Sequence, residues 1–148
     1  MSNRQLYDQD FYAWANEQAG LLRAGKLSEA DIEHIAEEIE SMGKSEKREL
    51  VSRLTVLLLL MLKWQHQPVF RSTSWRLTIE EQRNRLEEHL AENPSLKSAL
   101  DEVTARAYRS ALLSAARESG LDRSAFPVTC PWSPEQIADP NFYPEATH

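Results

Sequence analysis

Two groups of side chains carry the chemistry that this sequence offers. The first is acidic. On a helical wheel Asp31, His34 and Glu38 fall along one edge of a stripe made by Ile32, Ile35, Ile39 and Met42. A spacing of i, i+3 and i+7 lets two carboxylates and an imidazole converge on one metal ion. Carboxylate-bridged iron bundles take Glu-x-x-His from two helices and a further Glu from each of two others. Asp31-Ile32-Glu33-His34 approximates that motif once, and His66, His89 and His148 do not repeat it. The solvated edge of an amphipathic helix accounts for the same pattern without a metal. Glu29, Glu33, Glu37 and Glu40 fall on the opposite side, where solvent is expected, and the earliest of them suit the positive end of the helix dipole.

The second group is basic and aromatic. Lys63, Arg71, Arg76, Arg83 and Arg85 stand against Glu80 and Glu81, with Trp64 and Trp75 among them. Arg76 and Arg83 are seven residues apart and share a helix edge. Two guanidiniums so placed could grip a phosphate or carboxylate bidentately, with a tryptophan stacking on a base. The candidate ligand or partner surface is therefore Lys63, Trp64, Trp75, Arg76 and Arg83. An ordinary surface helix is the competing reading: Arg76–Glu80 and Arg83–Glu87 are i, i+4 pairs, and the tryptophans would be core.

The remaining candidates are single residues. Cys130 lies between Thr129 and Pro131, with no helix start or cation in sequence to activate a thiolate. It reads as a structural, half-buried cysteine. Gln82 and His89 fall on the apolar side of their helix, where buried polar groups must find partners and commonly fix helix register. No phosphate-cradling glycine loop, GxSxG or HExxH is present.

Composition narrows the classes. The chain has 148 residues, 41% of them hydrophobic, which suffices for one core and excludes wholesale disorder. Four glycines are too few for a turn-rich all-β protein. A net charge of −6 argues against a general binder of nucleic acid or anionic membrane. One cysteine excludes an internal disulfide and a multi-cysteine zinc site. The opening MSNRQLYDQD has no apolar signal segment, and the longest apolar run, Val56 to Leu62, is far shorter than the roughly 20 residues of a membrane helix. A reducing cytoplasm is the expected home.

Periodicity and punctuation predict five helices, at about 8–24, 29–42, 45–65, 74–92 and 94–119. Gly25, Gly43 and Gly120 are read as stops, and Ser28 with Asp31 as a variant capping box. The third helix is apolar nearly all round, through Leu50, Leu54, Val56, Leu57, Leu58, Leu59, Leu60, Met61 and Leu62. Such a helix belongs at a bundle centre. Asn93-Pro94 is a cap followed by a proline at the first helical position. Residues 121–148 hold Pro127, Pro131, Pro134, Pro140 and Pro144 interleaved with Phe126, Trp132, Phe142 and Tyr143. This is expected to be an irregular tail strapped onto the bundle, with one short turn opened by Ser133 and Pro134.

Several segments together resemble the bacterial family called domain of unknown function 29. They are LYDQDFYAW (6–14), EEIESMG (37–43), LKWQHQP (62–68), SWRLTIEEQR (74–83), PSL (94–96), CPW (130–132) and FYPE (142–145). The resemblance runs in order along nearly the whole chain. It implies an all-helical bacterial protein and no particular activity. Many members carry a histidine just before the segment ending in Lys63-Trp64, where this chain has Leu60.

The expectation is thus an all-α protein, a single domain over 1–148, with about five helices around a central apolar helix. The function expected is a non-enzymatic protein-interaction or regulatory module, with a protein partner and a homodimer as one variant, and with no cofactor. The alternatives are a nucleic-acid or nucleotide-associated protein using the Lys63–Arg85 segment, and a metal-dependent enzyme using Asp31, His34 and Glu38.

Overall fold

The computed structural model describes residues 2–147. Its elements are all helical among the described residues: α1 (Asn3–Gln9), α2 (Phe11–Arg23), α3 (Ile32–His66), α4 (Thr73–Glu92), α5 (Leu100–Ser119) and α6 (Pro134–Ala138), with 3-10 turns at Pro68–Phe70, Pro94–Ala99 and Arg123–Ala125. None of these helices is long and apolar enough to cross a membrane. The chain divides into two compact units, Met1–Ser45 and Glu46–His148.

The first unit holds α1, α2 and the start of α3. The first expected helix is in fact two. Ser2 and Gln5 cap α1 reciprocally, and Asp10 closes it and then caps α2 by accepting from the Ala13 amide. A single acidic residue at a break does both tasks because its short side chain reaches the free amides of the next turn. Gly25 takes the left-handed conformation expected of it, with φ 71°. The capping box at Ser28 does not form, since the helix starts only at Ile32.

Gly43 is not a stop. The helices expected at 29–42 and 45–65 are one continuous α3 of 35 residues. A glycine costs a helix interior about 1 kcal/mol relative to alanine. The flanking residues, rich in Glu, Lys and Arg and free of proline, tolerate that. The apolar stripe also departs from expectation: Ile32, Ile39 and Met42 are exposed. Among described residues the first unit buries only Trp14 and Gln18. Its cohesion is aromatic and polar, through a face of α3 beside the stripe.

The second unit follows the expected plan. The rest of α3 supplies the centre of the core: Leu50, Leu54, Leu57, Leu58, Met61 and Leu62 are at most 1% exposed. From α4 come Ile79 and Leu86. From α5 come Val103, Ala107, Ala111 and Ala115, whose small side chains permit close packing, together with Tyr108. Asn93 does not cap the helix that follows it; its side-chain amide donates to His89 O at the end of α4 instead. The stretch Pro94–Ala99 is a 3-10 segment, and α5 begins at Leu100. Gly120 ends α5 with φ 75°.

The tail is strapped on as expected. Phe126, Trp132 and Ile137 are buried, and Phe142 and Tyr143 pack against the core from its edge. Burial of each such side chain contributes roughly 1.5–3 kcal/mol. The strap is also tied by hydrogen bonds: Tyr108 Oη donates to Pro127 O at 2.6 Å, and the Thr147 amide to Gln65 O at 3.0 Å. Ser133 and Gln136 make a capping box that opens α6.

Candidate functional site

The acidic edge is assembled within the first unit, and it faces protein. Trp14 Nε1 donates to Asp31 Oδ2 at 3.0 Å, and the same oxygen meets His34 Nδ1 at 2.7 Å. Gln18 Oε1 accepts from the Asp31 amide at 2.6 Å. Tyr7 donates its hydroxyl to Glu38 and lies flat on the His34 ring, with centroids 4.1 Å apart. Phe11 and Trp14 complete the aromatic cluster around Tyr7. These contacts attach α1 and α2 to α3.

The electrostatics follow. The bond to Asp31 raises the pKa of His34 above its usual 6.5, against a smaller opposing effect of burial. Burial opposes the charge on Asp31, but bonds from His34 and Trp14 outweigh it and bring the pKa below 3.8. The bond to Glu38, with burial and nearby carboxylates, pushes the Tyr7 hydroxyl up to about 12. Each of the three residues singled out for a metal is therefore engaged by a neighbour: Asp31 with His34, and Glu38 with Tyr7.

Among the described residues, the trio whose ligand atoms do come together, within 4.8 Å, is Glu46, Glu49 and His89 of the second unit. His89 Nε2 lies 2.8 Å from Glu46 O, an acceptor that fixes the proton on that nitrogen. Nδ1 is 3.5 Å from Glu49 Oε2. The imidazole thereby locks α4 onto α3, the register role expected for a buried histidine. The two glutamates are roughly half exposed, at 48% and 45%. The trio escaped the sequence reading because His89 is some forty residues from its partners.

The basic and aromatic residues come together as well. Arg71 lies over the Trp64 ring at 4.8 Å, Arg76 over Trp64 at 5.7 Å and over Tyr143 at 5.2 Å, and Arg83 over Tyr143 at 5.3 Å. Trp64 and Tyr143 are 4.9 Å apart. The result is a ladder in which guanidiniums alternate with rings and the tail residue Tyr143 is gripped between two of them. Lys63 lies over Trp75 at 4.9 Å and reaches Glu118 at 3.8 Å.

The expected i, i+4 pairs of Arg76 and Arg83 do not form; Arg85 with Glu81 is the i, i+4 ion pair within this helix among the described residues. Arg83 is only 4% exposed, and its Nε donates to Ile137 O at 2.8 Å. Burial lowers its pKa, while the fields of Tyr143 and Asp139 partly restore it. Burial of the cation against a ring and a carbonyl is what the pairing rule for α4 could not foresee, because Tyr143 and Ile137 lie more than fifty residues away.

Cys130 is half-buried, its thiol directed at Trp132 O at 3.5 Å. Burial raises its pKa. Gln82 is half-buried, with its Oε1 unpartnered among the described residues.

Two open features remain. On α3, Ile32, Ile39 and Met42 are 52%, 59% and 60% exposed. Beside α5, its Arg109, Leu112 and Leu113 and the following Arg123, Phe126 and Val128 line a groove of about 560 Å³. Neither arrangement brings together a nucleophile, a base and an oxyanion site.

No curated protein and no solved structure matches the chain. The family model described as domain of unknown function DUF29 matches residues 6–143, the span over which the sequence motifs run, and the chain belongs to that family.

Proposed function

We propose that this protein is a non-enzymatic interaction module that binds a helical partner through the first half of α3. One observation carries the reading: Ile32, Ile39 and Met42 form an exposed stripe at spacings of seven and three residues. That is the spacing with which one helix packs along another. Unlike singly scattered surface residues, three large aliphatics in register leave an apolar strip in water, which marks a binding face. At 52–60% exposed, each would gain about half of the roughly 1.5–3 kcal/mol that burying a fully exposed side chain gives. Glu29, Glu33, Glu37 and Glu40 are exposed on the same helix and the turn before it. Glu33, Glu37 and Glu40 lie on the wheel away from the stripe, so the partner that fits the stripe itself is an apolar helix face. A reducing compartment suits the half-buried thiol of Cys130.

The test compares tagged wild-type protein with Ile39→Glu/Met42→Glu in pull-downs from the source cells. A partner retained in stoichiometric amount by the wild type and lost from the variant is expected. A partner held equally by both, or none held by either, sinks the reading. The nucleic-acid alternative finds less support: the cations of Lys63, Arg71, Arg76 and Arg83 all lie against aromatic rings of the chain itself.

A further inference from the structure

We infer that Glu46, Glu49 and His89 form a binding site for one divalent cation of the zinc type, which clamps the last turn of α4 to α3. The inference does not rest on the reading of the α3 stripe as a binding face.

Glu46 and Glu49 are one turn apart on α3, so their side chains leave the same side of that helix. His89 comes to them from the last turn of α4. Each of the three brings a ligand atom within 4.8 Å of the other two. The imidazole is only 6% exposed, whereas the half-exposed glutamates leave the site open to solvent.

The hydrogen bonding of the ring decides which nitrogen is free. Nε2 lies 2.8 Å from Glu46 O, which can only accept, so Nε2 carries the proton and donates it. Nδ1 is left as a lone pair on a buried ring. It makes no hydrogen bond among the described residues, and Glu49 Oε2 stands 3.5 Å from it. Two acceptors at that distance repel unless positive charge lies between them. A proton would draw them to about 2.7–2.9 Å, the length of a charge-assisted bond. A metal ion holds them further apart: bonds of about 2.0–2.2 Å meeting at the tetrahedral angle set the two ligand atoms about 3.4 Å from each other. The spacing of 3.5 Å is therefore that of two ligands sharing an ion.

The surroundings fit a ligand set. A metal-binding imidazole commonly gives its other N–H to a backbone carbonyl, which fixes tautomer and tilt, and Glu46 O serves His89 in that way. Arg53 Nη2 donates to Glu49 Oε1 at 3.3 Å, which leaves Oε2 for the ion. Glu46 Oε2 is 3.6 Å from Nε2, on a side chain exposed enough to swing onto the ion. One imidazole nitrogen and two carboxylates suit Zn²⁺, which readily takes three protein ligands and a water. The two carboxylate charges balance that of the ion. Ca²⁺ and Mg²⁺ call for more oxygen ligands than the trio holds.

Isothermal titration of the untagged full chain with zinc chloride, with nitrogen-15 spectra of its histidine side chains, tests this. One Zn²⁺ per chain is expected to bind. Among the four histidines, His89 should show its Nδ1 resonance move on loading while Nε2 keeps its proton. The resonance is assigned by its loss in His89→Gln. Glu46→Gln and Glu49→Gln each remove one ligand charge from a half-exposed position, so the fold should persist, as circular dichroism will report. Each should weaken binding at least about tenfold, the least that disturbing a metal shell costs. Asp31→Asn, which alters the other carboxylate–histidine pair, should bind like the wild type. No binding at about 1 mM Zn²⁺ overturns the inference. So does binding that leaves the His89 resonance in place, or that either glutamine variant retains at wild-type strength.

Discussion

Tyr7 stacks on His34 with ring planes 11° from parallel, while the Asp31 carboxylate holds the imidazole at Nδ1. Residues of α1 and α3 are thus joined through a titratable ring, and the first unit should respond to pH accordingly. The pKa of His34 is raised above 6.5 by folding, so its stabilising contribution is complete below pH 6.5 and is lost as pH climbs through the raised value. Asp31 is lowered from 3.8, so its contribution is present above pH 3.8 and is lost as pH falls through the lowered value. Hydrogen exchange of residues 3–23, corrected for intrinsic rates, should therefore be slowest between the two transitions and accelerate above the upper one. Asp31→Asn should flatten the upper transition; an unchanged profile would refute the coupling.

Trp14 is the residue on which α2 depends, being 3% exposed and bonded to Asp31. Trp14→Ala should destabilise the first unit by about 3–5 kcal/mol, the usual cost of emptying a large aromatic site. Limited proteolysis should then cut within residues 3–31 while leaving the second unit intact. Cleavage at the wild-type rate would contradict this.

Gly43 and Gly120 should answer oppositely to alanine. Gly43 is helical, and a methyl group there meets nothing within 4 Å. Gly43→Ala should stabilise by about 0.5–1 kcal/mol. Gly120 has φ 75°, where a side chain is strained, and Gly120→Ala should cost about 1–2 kcal/mol. Thermal melts followed at 222 nm will read both signs.

Arg83 and Tyr143 join α4 to the tail at 5.3 Å. Urea unfolding of Arg83→Ala, Tyr143→Ala and the double variant should give a coupling of about 1–2 kcal/mol, as expected for a desolvated cation on a ring. Additive effects would show that the ladder does not act as a unit.

Cys130 should be slow to alkylate. Burial raises its thiol pKa, so iodoacetamide should modify the folded protein more slowly than the protein in urea. Equal rates would mean that the thiol is open to solvent.

The helices and the central core were legible in the sequence because both follow from local chemistry. The leucines around Leu50 to Leu62 cover a whole helix surface and can only be buried, and Gly120 and Ser133 act within a turn of where they stand. Three features were not legible, one because local terms nearly balance and two because distant residues decide them. Whether Gly43 ends a helix depends on a penalty of about 1 kcal/mol, which neighbouring residues can outweigh. Whether Ile32, Ile39 and Met42 face a core depends on what else competes for that helix, and the aromatics of α1 and α2 docked on the adjacent edge, drawn by Asp31, His34 and Glu38. Whether Arg76 and Arg83 pair with glutamates depends on Tyr143, brought alongside only when the tail closes. A helical wheel ranks the faces of a helix by polarity, but which face is covered is decided by the side chains that tertiary contacts bring against it, and those lie tens of residues away.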